Sequence, residues 1–318
     1  MKWKKLGKIF NPTDFNLPEG CTDFSQAPQA VVFDDYVRIY FSTRRCDKDN
    51  YFVSHIAWVD FDHSFQNVIR ISQYSPISLG KLGCFDEHGI FPLHVVRAND
   101  ILLGYISGIS RRVSVSVDAS IGLALSTDNG DTFIRIGDGP IISSSLKEPF
   151  LICDPFVSII DGIYHMLYVY GIKWTTMEEG GAPERVYKIG YAQSLDGIKW
   201  KRAGRQLIEN VLGIDECQAL PTFFCQDGKY HMLFCFRHAS GFRKESAKAY
   251  RIGYAWSYDL INWQRADELA GIDVSEGEWD SDMLCYPHVF SMDDQIYLLC
   301  NGNEFGRHGF GLAILDHI

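Results

Sequence analysis

LPTFFCQDGKYHMLFCFR, residues 220 to 237, sets a proline at the head of a short apolar run, breaks at Asp227-Gly228 and resumes as a second run of aromatic and apolar residues. Two short strands around an Asp-Gly pair read as a β-hairpin, because these residue types tolerate the positive φ that the tight turn imposes. The same pattern stands at 27 to 44, 91 to 108, 154 to 171 and 286 to 303, with prolines at Pro28, Pro92, Pro155, Pro221 and Pro287. Successive prolines lie 64, 63, 66 and 66 residues apart, so five repeats account for the whole chain.

A second pattern follows the hairpins at 54 to 62, 121 to 137, 189 to 204 and 252 to 267: a third strand, a turn and a fourth strand carrying an aromatic. Four strands per repeat predict a propeller blade. The expected fold is therefore all-β, a single five-bladed β-propeller over 1–318 with four-stranded antiparallel blades. The last repeat stops at its third strand, GFGLAILDHI (309 to 318), whereas WKKLGKIF (3 to 10) matches WKRAGRQLI from Trp200 onward. The N-terminal strand is thus expected to complete the last blade and close the ring, removing its open edges.

Composition narrows the function classes. A chain of 318 residues, 46% hydrophobic and 14% aromatic, can bury a sizeable core, and a net charge of −10 without a basic run argues against nucleic acid as a partner. The basic N-terminus lacks the apolar core of a signal peptide, and no apolar run approaches the ~18 residues of a membrane span, so no membrane partner and a cytoplasmic location are expected. Nine cysteines without a CxxC pair argue against a disulfide framework, and most read as reduced, buried small hydrophobes. Neither HExxH nor an EF-hand loop occurs, and DNGD (128 to 131) matches the hairpin turns at LDGIKW and YDLINW, so no metal or cofactor is expected.

The segments leading into each proline carry acids: Asp23, Asp86 with Glu87 and His88, Asp154, Asp215 with Glu216, and Asp280 with Asp282. In a propeller these segments open on one face around the central channel. Carboxylates gathered there shift one another's pKa values, so that one holds a proton while another stays ionised. Glycosyl transfer needs that division of labour.

Through RIYFSTR (38 to 44), DGIKWKR (196 to 202), EGEWDSDMLCYPHVF (276 to 290) and NGNEFGRHGFGLA (301 to 313), the chain resembles the five-bladed propeller glycosidases over essentially its whole length. That superfamily holds glycoside hydrolase families 43, 32, 68 and 130, and the likeness is greatest to an uncharacterised predicted-glycosidase branch associated with bacterial surface-polysaccharide clusters. The resemblance implies a carbohydrate substrate and cleavage of a glycosidic bond. It makes Glu216, in Glu216-Cys217, the general acid, and Asp154, in Asp154-Pro155, the carboxylate that stabilises the transition state and tunes the acid. Many relatives place an arginine where this chain has Cys153, and an aspartate nucleophile or base where it has Ala27, which leaves Asp23 or Asp86 to activate water. His88, Asp282 and His288 become candidates to bind sugar hydroxyls. Arg44, Arg237 and His238 follow second strands and are candidates to reach the pocket. Trp174 and Trp279 are candidates to stack on a sugar ring, while Trp200 and Trp263 recur in fourth strands and read as packing between blades. Two alternatives stay open. An inverting phosphorylase would need no protein base, since phosphate replaces water, and a non-catalytic carbohydrate-binding propeller would need no acid.

Overall fold

The computed structural model describes residues 1–176 and 182–317. Twenty strands form five four-stranded antiparallel sheets, the blades of a β-propeller. Blade one comprises β2 (Asp23–Val32), β3 (Val37–Cys46), β4 (Phe52–Phe61) and β5 (Val68–Ile71). Blade two comprises β6 (Ile90–Ala98), β7 (Ile101–Arg111), β8 (Val117–Ser126) and β9 (Ile134–Arg135). Blade three is built from β10 (Ile152–Ile160), β11 (Ile163–Thr175), β12 (Glu184–Ser194) and β13 (Lys201–Arg202), and blade four from β14 (Cys217–Gln226), β15 (Lys229–Arg237), β16 (Arg251–Ser257) and β17 (Gln264–Arg265). Blade five runs β18 (Cys285–Met292), β19 (Gln295–Asn301) and β20 (Phe310–His317), and its outermost strand is β1 (Lys2–Phe10). The ring closes as the sequence predicts, Lys2 pairing with His317 and Phe10 with Phe310. Among the described residues no helix is long and apolar enough to cross a membrane.

The turn chemistry explains the repeat. Asp161 and Gly162 take φ of 51° and 76°, and Asp227 and Gly228 take 52° and 73°, so each Asp-Gly tip has both central residues at positive φ. That hand of turn matches the right-handed twist of the flanking strands. Outer-strand tryptophans pack as expected: Trp200 meets Tyr105 of the neighbouring blade with ring centroids 5.9 Å apart.

The prolines have a sharper role. Proline has no N–H for the ladder, and each inner strand breaks register beside it, between Gln26 and Gln29, Ile90 and Leu93, Cys153 and Phe156, Ala219 and Thr222, and Cys285 and His288. In four blades the preceding residue sits in the left-handed region: Ala27 at φ 50°, Asp154 at 52°, Leu220 at 45° and Tyr286 at 57°. In blade two, Phe91-Pro92 is a cis peptide. A residue before proline rarely adopts φ > 0, and such backbone strain persists only where surrounding packing over-determines it. The bulge re-aims one side chain per blade, and three of the five, Phe91, Asp154 and Tyr286, face one cavity.

Candidate active site at the propeller mouth

The acids that lead into the blades do not form a common catalytic rim. Asp86, Glu148, Glu216 and Asp280 are each at most 1% exposed, and each pairs with a base on the outermost strand of its own blade. The pairs are Asp86 with Arg135, Glu148 with Arg202 at 2.7 Å, Glu216 with Arg265 at 2.6 Å, and Asp280 with Lys5 at 2.5 Å. The same bases donate to carbonyls of the leading loops at Ser78, Ser143, Glu209 and Asp273. Four blades thus share one clasp, which ties the loop before the inner strand to the outer edge. Each base stands two residues after an aromatic, in Phe133-Ile134-Arg135, Trp200-Lys201-Arg202, Trp263-Gln264-Arg265 and Trp3-Lys4-Lys5. That spacing was the signal from which the clasp could have been read.

Glu216 and Asp86 are therefore corrected. Glu216 accepts from the backbone N–H of Val211 at 2.8 Å and Leu212 at 2.9 Å, from Gln218 Nε2 at 2.8 Å and from Arg265. Four donors occupy its oxygens, and it lines no part of the cavity, so it is not placed to hand a proton to a substrate there. Asp86, fully buried against Arg135, cannot reach a substrate water.

Other candidates also turn away from the cavity. Asp23 lies across the ladder from Arg44 but gives its carboxylate to Arg307, 2.9 Å from Nε. His88 sits beside Glu87, with its Nδ1 accepting from the Arg111 backbone N–H. Asp282 is exposed, its backbone held by Asn303 and Arg251. The Trp279 ring lies flat against Gly302 and Gly311, where any Cβ would collide with it, so it is a wedge inside blade five and not a sugar platform. His288 is in the central channel, 4% exposed, near His94 with ring centroids 6.1 Å apart. Burial pushes its pKa down to about 3 and that of His94 to about 4, so both stay neutral plugs of the channel. Trp174 pairs with Arg185 across the β11–β12 ladder without lining the cavity.

The structure gathers a different set. The cavity has two chambers that share Arg185, Tyr187, Tyr250 and Tyr286. The inner chamber is walled by apolar groups, among them Phe91, Ile109 and Leu151, and holds Asp154, among the described residues the one carboxylate lining either chamber. Asp154 is 6% exposed, its backbone N–H donates to Ser107 Oγ at 2.8 Å, and its Oδ2 accepts from the Leu220 N–H at 3.3 Å. Burial raises its pKa to about 6, against the pull of that N–H, the Cys153 thiol and Arg185. A carboxyl so placed carries a proton in a useful fraction of molecules near neutral pH.

The outer chamber is cationic, lined by Arg44, Arg185, Arg237 and Arg243. Arg243 pairs with Glu184. Arg237 donates to the Tyr187 hydroxyl at 2.9 Å and to the His238 carbonyl at 2.7 Å, its guanidinium 3.5 Å from the Phe242 ring centroid, and Tyr187 is hydrogen-bonded to Tyr250. Arg44 has no hydrogen bond or ion pair among the described residues; its guanidinium lies between the rings of Phe24, Phe52 and Phe91. Burial lowers its pKa, and the charges of Arg185 and Arg243 push the same way. Of the sequence candidates, Asp154, Arg44 and Arg237 thus converge. Arg185, Arg243 and the three tyrosines escaped sequence reading because no local motif marks which arginines and tyrosines of different blades converge on one cavity.

No family model matches the sequence. The chain is 35% identical over 324 residues to the uncharacterized protein Rv1502 of Mycobacterium tuberculosis (strain ATCC 25618 / H37Rv), covering 100% of both. Among solved structures it is similar to a glycoside hydrolase, at TM-score 0.75 and 15% identity over 99% of this chain and 93% of that one. It is also similar to the β-1,2-mannobiose phosphorylase of Listeria innocua, at TM-score 0.65 and 12% identity over 98% and 96%. The structural likenesses carry the five-bladed fold, and the whole-length sequence match places the chain in the family of the uncharacterized mycobacterial protein Rv1502.

Proposed function

We propose that the protein is a carbohydrate-active enzyme that breaks a glycosidic bond, with Asp154 as the proton donor to the departing oxygen. The observation that carries this reading is a solitary carboxylate, buried on the floor of the mouth cavity in a strained left-handed conformation, with its pKa lifted to about 6. Positive φ before the proline recurs in four blades and belongs to the bulge, but in blade three it aims a carboxylate at the cavity, and the desolvation of that charge, which destabilises the fold, points to chemistry and not to packing. The fold supports the assignment by analogy, since the glycoside hydrolase and the phosphorylase it resembles are both carbohydrate-active.

A second reading, phosphorolysis, is favoured by one feature. Among the described residues no second carboxylate lines the cavity, so none of them faces Asp154 as a base to activate water. Paired-carboxylate hydrolysis, retaining or inverting, requires such a partner, whereas an attacking phosphate arrives already ionised.

The test is a panel of oligosaccharides and aryl glycosides incubated with and without inorganic phosphate, with Asp154→Asn as control. Release of free sugar supports hydrolysis, and phosphate-dependent release of a sugar phosphate supports phosphorolysis. Binding without turnover in either condition overturns the enzymatic reading in favour of a carbohydrate-binding propeller. Unaltered turnover by Asp154→Asn removes this residue from the chemistry.

A further inference from the structure

The outer chamber carries more positive charge than the described residues neutralise. Among the described residues, only Arg243 of its four arginines has a carboxylate partner, Glu184. Arg237, 3% exposed, meets hydroxyl and carbonyl oxygens, and its Nε finds no partner at all. Arg44 also has a buried Nε without a partner, and the Arg185 guanidinium joins no hydrogen bond or ion pair among the described residues. Burying one unpaired guanidinium is unfavourable, and collecting three on one wall adds mutual repulsion. Structural arginines in this protein look different: Arg38, Arg202 and Arg265 each close on a buried acid. The chamber is also small, about 150 Å³, which fits a compact group of several heavy atoms.

We infer that the outer chamber is a receptor for a phosphate-class dianion, either free or carried as the substituent of a sugar. Guanidinium forks match tetrahedral oxyanions with paired N–H donors, and three uncompensated charges suit a dianion better than a single carboxylate. Tyr187, held by Arg237 and Tyr250, positions that arginine while presenting its ring to the shared wall. Because Arg185 borders both chambers, an anion held there stands next to Asp154. The inference stands on the charge of the cavity and does not depend on the reaction assigned to Asp154.

The experiment is calorimetric titration and thermal melting of the full chain at constant ionic strength, with inorganic phosphate, glucose 1-phosphate, glucuronate and glucose as separate probes. A phosphate probe is expected to bind with Kd below about 1 mM and to raise the melting temperature, while glucose does neither. Arg44→Gln and Arg185→Gln are each expected to weaken that binding by about tenfold or more, as loss of a charge-assisted bidentate contact does. Neither variant is expected to lower the melting temperature of the ligand-free protein, since each removes an uncompensated charge. A purely structural arginine would give the reverse: a lower ligand-free melting temperature with affinity unchanged. Response to inorganic phosphate assigns a free-phosphate site, and response to glucose 1-phosphate alone assigns a sugar substituent. Binding of glucuronate in place of both overturns the phosphate class. Absence of binding by every probe, or unchanged affinity in both variants, overturns the site. Asp154→Asn is expected to retain the binding, so failure of the proton-donor assignment and failure of the anion site are read separately.

Discussion

Replacing Asp154 by Asn separates function from stability in a single residue. Asn keeps the shape and, like Asp, tolerates the left-handed conformation that Asp154 adopts at φ 52°, so the bulge before Pro155 should survive. What disappears is the charge. The carboxyl is 6% exposed and burial raises its pKa from 3.8 to about 6. Between those values the folded protein binds more protons than the unfolded chain, so stability falls as pH rises through this window and stays reduced above it. Two pH units of differential ionisation correspond to roughly 3 kcal/mol, which the Asn variant does not bear. In a chain of this size that is a melting-temperature gain of about 5 °C. The same change should lower turnover by about 10² to 10⁴ for substrates with poor leaving groups, and by less for activated aryl glycosides. Thermal melts of both proteins from pH 3.5 to 8 are expected to coincide near pH 4, diverge through pH 6 and run parallel above it. A difference that does not change with pH would refute the raised carboxyl, whatever its size.

Three further outcomes test the remaining architecture. Arg265→Ala strands the buried Glu216 and should cost about 3 to 5 kcal/mol in denaturant unfolding, whereas Glu216→Gln should leave the ratio of turnover on poor and activated leaving groups unchanged. Deleting residues 1 to 10 removes β1 together with the Lys5–Asp280 clasp, and should lower the melting temperature sharply; an unchanged melt contradicts ring closure. Trp279→Ala leaves a void against Gly302 and Gly311 and should destabilise the protein by about 3 kcal/mol, and a rise in KM at unchanged stability would restore the ring as a sugar platform.

The fold was legible because its determinants are local. A proline followed six or seven residues later by a pair of turn residues recurs in every blade, and each reports its own conformation without knowledge of the rest of the chain. The complementarity of WKKLGKIF with the truncated last repeat even revealed the one long-range pairing. The site was less legible because proximity to a blade mouth does not fix the direction in which a side chain points. Asp154 and Glu216 both lead into an inner strand, yet one is turned into the cavity by a residue at positive φ, and the other is drawn outward by an arginine 49 residues later. Arg44 and Arg237 were within reach because they end second strands. Arg185 was not, because what singles it out is the lack of a partner, and that exists only in three dimensions.

Ring closure by β1 also sets an order of events during synthesis. Of the propeller's strands, the first to be synthesised pairs with the last, Trp3 with Leu315 and Lys4 with Ile314. At 5 to 20 residues per second the N-terminal segment waits roughly 15 to 60 s for its partner. During that interval blades one to four can pair internally, each being continuous in the chain, while β1 and the inner strands of blade five stay unmatched. The waiting strand carries Lys2, Lys4, Lys5 and Lys8, four cations in nine residues. Lysines on an unpaired strand discourage edge-to-edge association with other chains. The same lysines thus serve twice: they keep the nascent segment apart from its neighbours, and at completion Lys5 locks onto Asp280 and fastens the velcro.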